Sequence, residues 1–157
     1  MGVLYDEKHK IFHLCNDRIS YILSVLRNGQ LGQLYFGKRL PENRDYTYLV
    51  EGVKRATSSY VYEGDFTLSL EHLRQEYPSY GTTDYRMPAF EILQKDGSRI
   101  TDFVYASHRI TPGKPKLAGL PATYAEWDAE AETLAITLRD EKIDAELVLS
   151  YTIFRNY

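Results

Sequence analysis

Twenty-two carboxylates, four histidines and one cysteine are the side chains of this 157-residue chain that could do acid/base, metal or nucleophilic chemistry. Acid/base catalysis by carboxylates needs two of them across a cleft, with pKa values driven apart. With so many, some pair lies close in any fold, and no spacing singles one out. Glu126, Asp128, Glu130 and Glu132 alternate, which places them together on the solvated side of a strand or turn. His9, His13, His72 and His108 have no HxH, HExxH or CxxC company, so no metal site is expected. His13 alternates with apolar neighbours in "IFHLC" and reads as a hydrogen-bonded sheet residue. Cys15 can form no internal disulfide and reads as a small buried hydrophobe, in keeping with a reducing compartment. Nucleophile elbows and phosphate-binding loops do not occur in the sequence.

One stretch stands apart from routine packing: "RQEYPSYGTTDYRMPAF", residues 74–90. Pro78 and Pro88 bar a regular helix, Gly81 permits a sharp bend, and Asp84 is near enough to Arg86 for charge-assisted hydrogen bonds. The residue types describe a stiff loop with polar groups inside it, and leave open whether it is a structural tie or a ligand rim.

The elements that must position such a loop read as strands. Ile143, Ala145, Leu147, Leu149, Tyr151 and Ile153 occupy every second position, Leu134, Ile136 and Leu138 do the same, and "RDEK" lies between the two runs. A helix over this region is the rival, but the apolar residues do not fall on one helical stripe. Asn28-Gly29 and Asp96-Gly97 supply turn chemistry for two further hairpins, since both dipeptides tolerate positive φ. "KIFHLC" is a further short strand. The sum is an all-β chain, an antiparallel β-sandwich in one domain, with two long loops at residues 41–64 and 111–128 where contacts are expected.

A net charge of −3 with both signs mixed argues against nucleic acid or an anionic membrane surface as partner. With only short apolar runs and no secretory signal pattern, the expectation is a soluble, cytoplasmic protein. Fourteen tyrosines against six phenylalanines suit half-buried strands, subunit interfaces and sugar-binding surfaces alike. Trp127, on an acidic loop, reads either as packing or as an exposed contact for sugar or subunit.

"QEYPSYGTTDYRMPAF" resembles the E-x-P-x-x-G-x-x-D-[FY]-R-x-P-A pattern of the N-terminal domain of bacterial family 36 glycoside hydrolases, the α-galactosidases. "NDRISYILSVLRNGQLGQLYFGKRL", "LPATYAEWDAEAETLAITLRD" and "DAELVLSYTIF" are similar to the same family and keep its order. One departure is Thr83, since the family usually has Gly directly before the Asp of this pattern. The resemblance implies a β-sandwich of the supersandwich, galactose-mutarotase-like type, succeeded in the family by a (β/α)8 barrel that carries the catalytic aspartates. The K-W-D-x-N-type motif of that barrel does not occur here, and a barrel of about 250 residues cannot fit in this chain. No catalytic residue is therefore carried over, and no cofactor is implied. The implied parent is a retaining α-galactosidase acting on terminal α-1,6-galactosides such as melibiose and raffinose. Its partners would be its own barrel and, since family members are often tetramers, copies of itself. A loop of this domain can then complete a neighbouring subunit's pocket. Arg44, Asp45, Tyr46, Arg55, Asp84, Arg86 and Trp127 are the resulting candidates for rim or interface. Two other readings remain: an independent carbohydrate-binding module, and a small complete hydrolase using two of the carboxylates. The finish at "YTIFRNY", directly after a strong strand, leads to the expectation of a piece of something larger.

Overall fold

The computed structural model describes residues 2–42, 44–50, 52, 54 and 57–156. Among these residues seven strands form two antiparallel sheets. The first has the order β1 (Gly2–Asp6), β2 (Ile11–Cys15), β3 (Ile19–Val25), β4 (Leu31–Lys38); the second has β5 (Val104–Pro112), β6 (Ala131–Asp140), β7 (Ala145–Phe154). Each strand pairs with its neighbour in sequence, so both sheets are meanders. The described residues contain no α-helix, only three short 3-10 turns.

Alternation of apolar and polar residues puts one face of each sheet against the other. Val3, Phe12, Leu14 and Leu23 of the first sheet meet Leu134, Ile136, Leu138 and Ile153 of the second in the main core. Phe12, wholly buried, stacks on Tyr5 at 4.6 Å and meets the His108 ring edge-on at 4.9 Å. The opposite face of the first sheet is covered as well. A bulge at Leu34, between the pairs Ile22↔Tyr35 and Leu23↔Gln33, joins Leu34 to Ile11, Ile22 and Tyr46 in a second cluster. All five residues of β2 are consequently buried.

The hairpin β6–β7 runs in register from Ala131↔Phe154 to Asp140↔Ala145, as the alternation indicates. The Asn28-Gly29 hairpin also forms, but with positive φ only at Gly29 (+88°): Leu26 N–H bonds the Gln30 carbonyl around a three-residue loop. At Asp96-Gly97 the same turn forms without the expected ladder, and β5 begins only at Val104. The backbone after that turn is bonded elsewhere, Thr101 N–H to the Tyr80 carbonyl (3.1 Å) and Asp102 N–H to Asp140 Oδ2 (2.7 Å). Strand β1 was not legible, being five residues long with Lys10 rather than Gly at positive φ in its turn.

Two histidines, His13 buried and His108 half-buried, make the fold sensitive to acid. His13 is 4% exposed and its Nε2 lies 2.8 Å from Ser20 Oγ; burial lowers its pKa, and burial lowers that of His108 too. The unfolded chain therefore binds protons more readily than the folded one. Stability from this source is full above the free histidine pKa of about 6.5 and is lost as pH falls below it toward the folded values. Denaturation of the purified chain between pH about 8 and 5.5 is expected to show that fall. A His13→Gln variant, which keeps a side-chain polar group near Ser20, is expected to show a shallower one; an identical slope would contradict the assignment.

Candidate functional site

The stretch 74–90 lies along the edge of β4. Gln33 N–H bonds the Arg74 carbonyl (2.8 Å) and Glu76 N–H bonds the Leu31 carbonyl (2.9 Å), so Arg74 to Glu76 act as a short fifth strand. This brings Glu76 between the sheets. Its carboxylate accepts the hydroxyl of Tyr21, on β3, and at 2.8 Å that of Tyr151, on β7. Burial, and then the Glu76 carboxylate, push both phenols well above their usual range, so they stay protonated and donate.

Further along, Gly81 and Asp84 bond each other's backbone across Thr82 (φ +50°) and Thr83 (φ +76°). Positive φ at both central positions is the type I′ turn, which favours Asn and Gly. Gly81 itself cannot be replaced cheaply, because a Cβ there would come within 2.7 Å of Ile100. The turn drives Asp84 inward, to 2% exposure. Asp84 Oδ1 accepts Arg86 N–H (3.1 Å) and Nε (2.8 Å), while Oδ2 accepts Arg86 Nη2 (2.8 Å) and Gln75 Nε2 (2.5 Å). Arg86 Nη2 also donates to the carbonyls of Leu70 (2.8 Å) and Leu73 (3.0 Å). Burial alone would raise the Asp84 pKa, but the bonds from Arg86 and Gln75 outweigh it and hold the carboxyl below its ordinary value. In this chain the Asp84–Arg86 pair ties the loop to residues 70–75, and its carboxylate has no free face.

The other candidates are placed differently. Tyr46 is buried, its ring edge-on to His13 and its hydroxyl donating to the Pro41 carbonyl at 2.7 Å. It anchors a turn on which Arg44 and Asp45 are exposed. Asp45 Oδ1 accepts the Thr47 hydroxyl (2.6 Å) and N–H (2.8 Å), which lower its pKa; His9 lies at 3.9 Å from Oδ2. Trp127 is 70% exposed on the loop before β6. Arg55 lies outside the described residues. Among the described residues no hydrogen bond or ring contact joins the Arg44–Tyr46 turn to Asp84, Arg86 or Trp127.

Two of the clefts offer no armed pair of acids among the described residues. A cavity of about 320 Å³ beside Val25, Leu26, Val50 and Leu68 has no carboxylate among the described residues of its lining. A cleft of about 240 Å³ has two, Asp102 and Asp140. Asp140 is 2% exposed and its oxygens are taken by the N–H groups of Asp102 (2.7 Å) and Lys142 (2.9 Å); Asp102 accepts Gln30 Nε2 at 3.1 Å. These bonds fix the β6–β7 turn rather than arm a nucleophile. No group of three or more His, Cys, Asp or Glu among the described residues is placed to hold a metal ion. Of the alternating acids, Glu132 is half-buried and accepts Val3 N–H at 2.5 Å, fastening β1 to the second sheet. Sequence reasoning missed this and the Glu76 bridge, because both depend on partners more than 50 residues away.

A family model described as the glycosyl hydrolase family 36 N-terminal domain matches residues 29–157. The chain is 43% identical over its whole length to alpha-galactosidase AgaA of Geobacillus stearothermophilus, of which it covers 21%. The crystal structure of alpha-galactosidase AgaB of the same organism superposes with a TM-score of 0.90 at 43% identity, covering 100% of this chain and 21% of that one. A variant of AgaA solved in complex with raffinose gives 0.87 at 43% identity, over 94% of this chain and 20% of that one. The chain thus spans about a fifth of the length of the relatives it matches.

Two substitutions test the loop. Thr83 is β-branched in the left-handed region, and its hydroxyl is buried with no hydrogen-bond partner among the described residues. Thr83→Gly removes both costs and is expected to raise the unfolding free energy by about 1 kcal/mol; a loss of stability would contradict the turn geometry. Asp84→Ala strands the donors of Gln75 and Arg86 and is expected to cost about 3 kcal/mol in the same denaturation experiment.

Proposed function

The chain belongs to glycosyl hydrolase family 36, whose N-terminal domain it matches, and on that premise we propose that it is the non-catalytic leading domain of a longer retaining α-galactosidase. Its parent acts on terminal α-1,6-galactosides of the melibiose and raffinose type, a reading supported by the raffinose complex of the AgaA variant. The domain packs on the catalytic barrel of its own chain, supports assembly of a cytoplasmic homotetramer and helps frame a sugar pocket. No cofactor is assigned to it. The observation that carries the reading is the use made of the acids: Glu76, Asp84, Asp140 and Glu132 are all committed to holding loops and sheets together. Such a chain supplies shape, and its chemistry must come from elsewhere.

Rim roles fall to the exposed candidates. Arg44 and Asp45, held out on a buried Tyr46, and Trp127 are free to meet a sugar or a neighbouring subunit, whereas Asp84 and the inner side of Arg86 stiffen the support behind them. Arg55 belongs to the same proposal by its place in the 41–64 loop. The second reading, an independent carbohydrate-binding module, is favoured by the exposed rings of Trp127 and Tyr48.

Kinetics of the full-length enzyme separate the roles. Arg44→Ala, Asp45→Ala and Trp127→Ala are expected to leave thermal stability unchanged while altering kcat/KM for raffinose by about tenfold or more, the loss of a contact worth roughly 1.4 kcal/mol. Unchanged kinetics in all three would remove the rim proposal. Titration of the 157-residue chain with galactose and raffinose is expected to give no saturation below millimolar sugar, and saturation there would favour the module.

A further inference from the structure

The sequence sets an Asx residue before glycine twice, at Asn28-Gly29 and at Asp96-Gly97. Such pairs are the ones that most readily close to a succinimide, because glycine has no side chain to shield its backbone nitrogen from the neighbouring side-chain carbonyl carbon. Both pairs sit in the same turn. Leu26 N–H bonds the Gln30 carbonyl (2.8 Å) and Gly29 N–H the Leu26 carbonyl (2.8 Å); Gln94 N–H bonds the Ser98 carbonyl (2.9 Å) and Gly97 N–H the Gln94 carbonyl (3.0 Å). Gly29 and Gly97 have φ of +88° and +85°. With the backbone matched, the surroundings decide which pair reacts.

Those surroundings are opposite. Gly29 is packed against β5: a Cβ there would lie 3.0 Å from the Val104 Cβ, and its carbonyl accepts Tyr105 N–H at 2.7 Å. Asn28 is half-buried, and its Oδ1 is buried with no hydrogen-bond partner among the described residues. Attack on the Asn28 carboxamide would place negative charge on that oxygen, where no donor meets it. Asp96 and Gly97 are exposed, and among the described residues nothing lies within 4 Å of a Cβ placed on Gly97. Asp96 Oδ1 accepts Ser98 N–H at 2.9 Å, a donor already aimed at the oxygen that would take the charge.

We propose that Asp96-Gly97 is the site at which the folded chain rearranges to isoaspartate, and that Asn28-Gly29, the more reactive pair by residue type, is held inert by its packing. The Gly97 nitrogen gives up its proton to solvent and bonds to Cγ of the protonated Asp96 carboxyl, while the Cγ–Oδ2 bond breaks and Oδ2 leaves as water. A water molecule then opens the succinimide ring. Breaking the bond from nitrogen to Cγ restores aspartate; breaking the bond from nitrogen to the main-chain carbonyl carbon leaves the chain running through Cβ and Cγ, with a free α-carboxylate. One water is lost and one is gained, so the product has unchanged mass and a backbone longer by one carbon. The open setting of this turn has room for that extra length, whereas the turn under Val104 and Tyr105 does not.

Peptide mapping of the full-length protein after incubation at neutral pH, below its unfolding temperature, tests this without reading activity, so it is independent of which substrate the enzyme uses. Electron-transfer fragmentation identifies the isoaspartyl linkage, and the mass change from amide to acid identifies deamidation. Isoaspartate is expected to accumulate at Asp96 while Asn28 keeps its amide. In guanidinium chloride the order is expected to reverse, with Asn28 reacting first, because its protection disappears with the fold. An Asp96→Asn variant removes the difference between acid and amide. It is expected to deamidate at position 96 at least about tenfold faster than at Asn28 in the same folded molecule, the open and bonded turn against the covered and unbonded one. Comparable rates at the two positions of that variant would overturn the proposal, as would Asn28 reacting first in the folded parent or Asp96 reacting only in guanidinium chloride. An Asn28 that stays intact in guanidinium chloride would show that packing is not what protects it, and would overturn the proposal equally.

Discussion

One carboxylate of this protein bonds both of its sheets at once. Glu76 receives a phenol from each, Tyr21 from the first sheet and Tyr151 from the second, at the side where apolar cover runs out. Val3 N–H to Glu132, Asn16 to the Phe154 carbonyl and Tyr105 N–H to the Gly29 carbonyl also cross between the sheets, and the rest of the sandwich is joined by non-directional contact, which fixes distance but tolerates sliding. A charge-assisted bond to each sheet adds direction. Glu76 is placed there because its own segment is bonded to β4, and that segment is held by the Asp84–Arg86 tie further along the same loop. Residues 74–90 thus form one device, in which Gln75 and Glu76 face a structural partner each.

That device shows how, among the described residues, side chains of reactive type are taken up in holding the structure together. A buried carboxylate costs several kcal/mol unless it is fully bonded, and among the described residues both buried acids, Asp84 and Asp140, are, as is the half-buried Glu132. Asp84 is met by guanidinium and amide groups, Asp140 by two backbone N–H groups, Glu132 by Val3 N–H. The groups left at the surface, Arg44, Asp45 and Trp127, have the exposure but not the pairing that acid/base chemistry needs.

How much of this could be read from the residues depended on range. The β6–β7 hairpin and β2 were legible because alternation is local. The Asn28-Gly29 turn was legible as a hairpin, though not in its three-residue form, since the choice between loop types depends on how the strands twist together. The Asp96-Gly97 turn was legible while its ladder was not, because Thr101 and Asp102 found partners on Tyr80 and Asp140. The Asp84–Arg86 contact is implied by a spacing of two, but only the fold shows that it is buried and closed. The departure at Thr83 carried real information, as it falls on a turn position that prefers glycine. Glu76 stood in plain view within the same stretch, and nothing local marked it as the residue joining two sheets.

The most direct check of this account is a double-mutant cycle on Glu76→Leu and Tyr151→Phe, read as the free energy of unfolding. If the carboxylate joins the sheets, each single change costs about 1.5 to 3 kcal/mol and the double change costs little more than the larger of them. Costs that simply add, or a Glu76→Leu chain as stable as the parent, would contradict it.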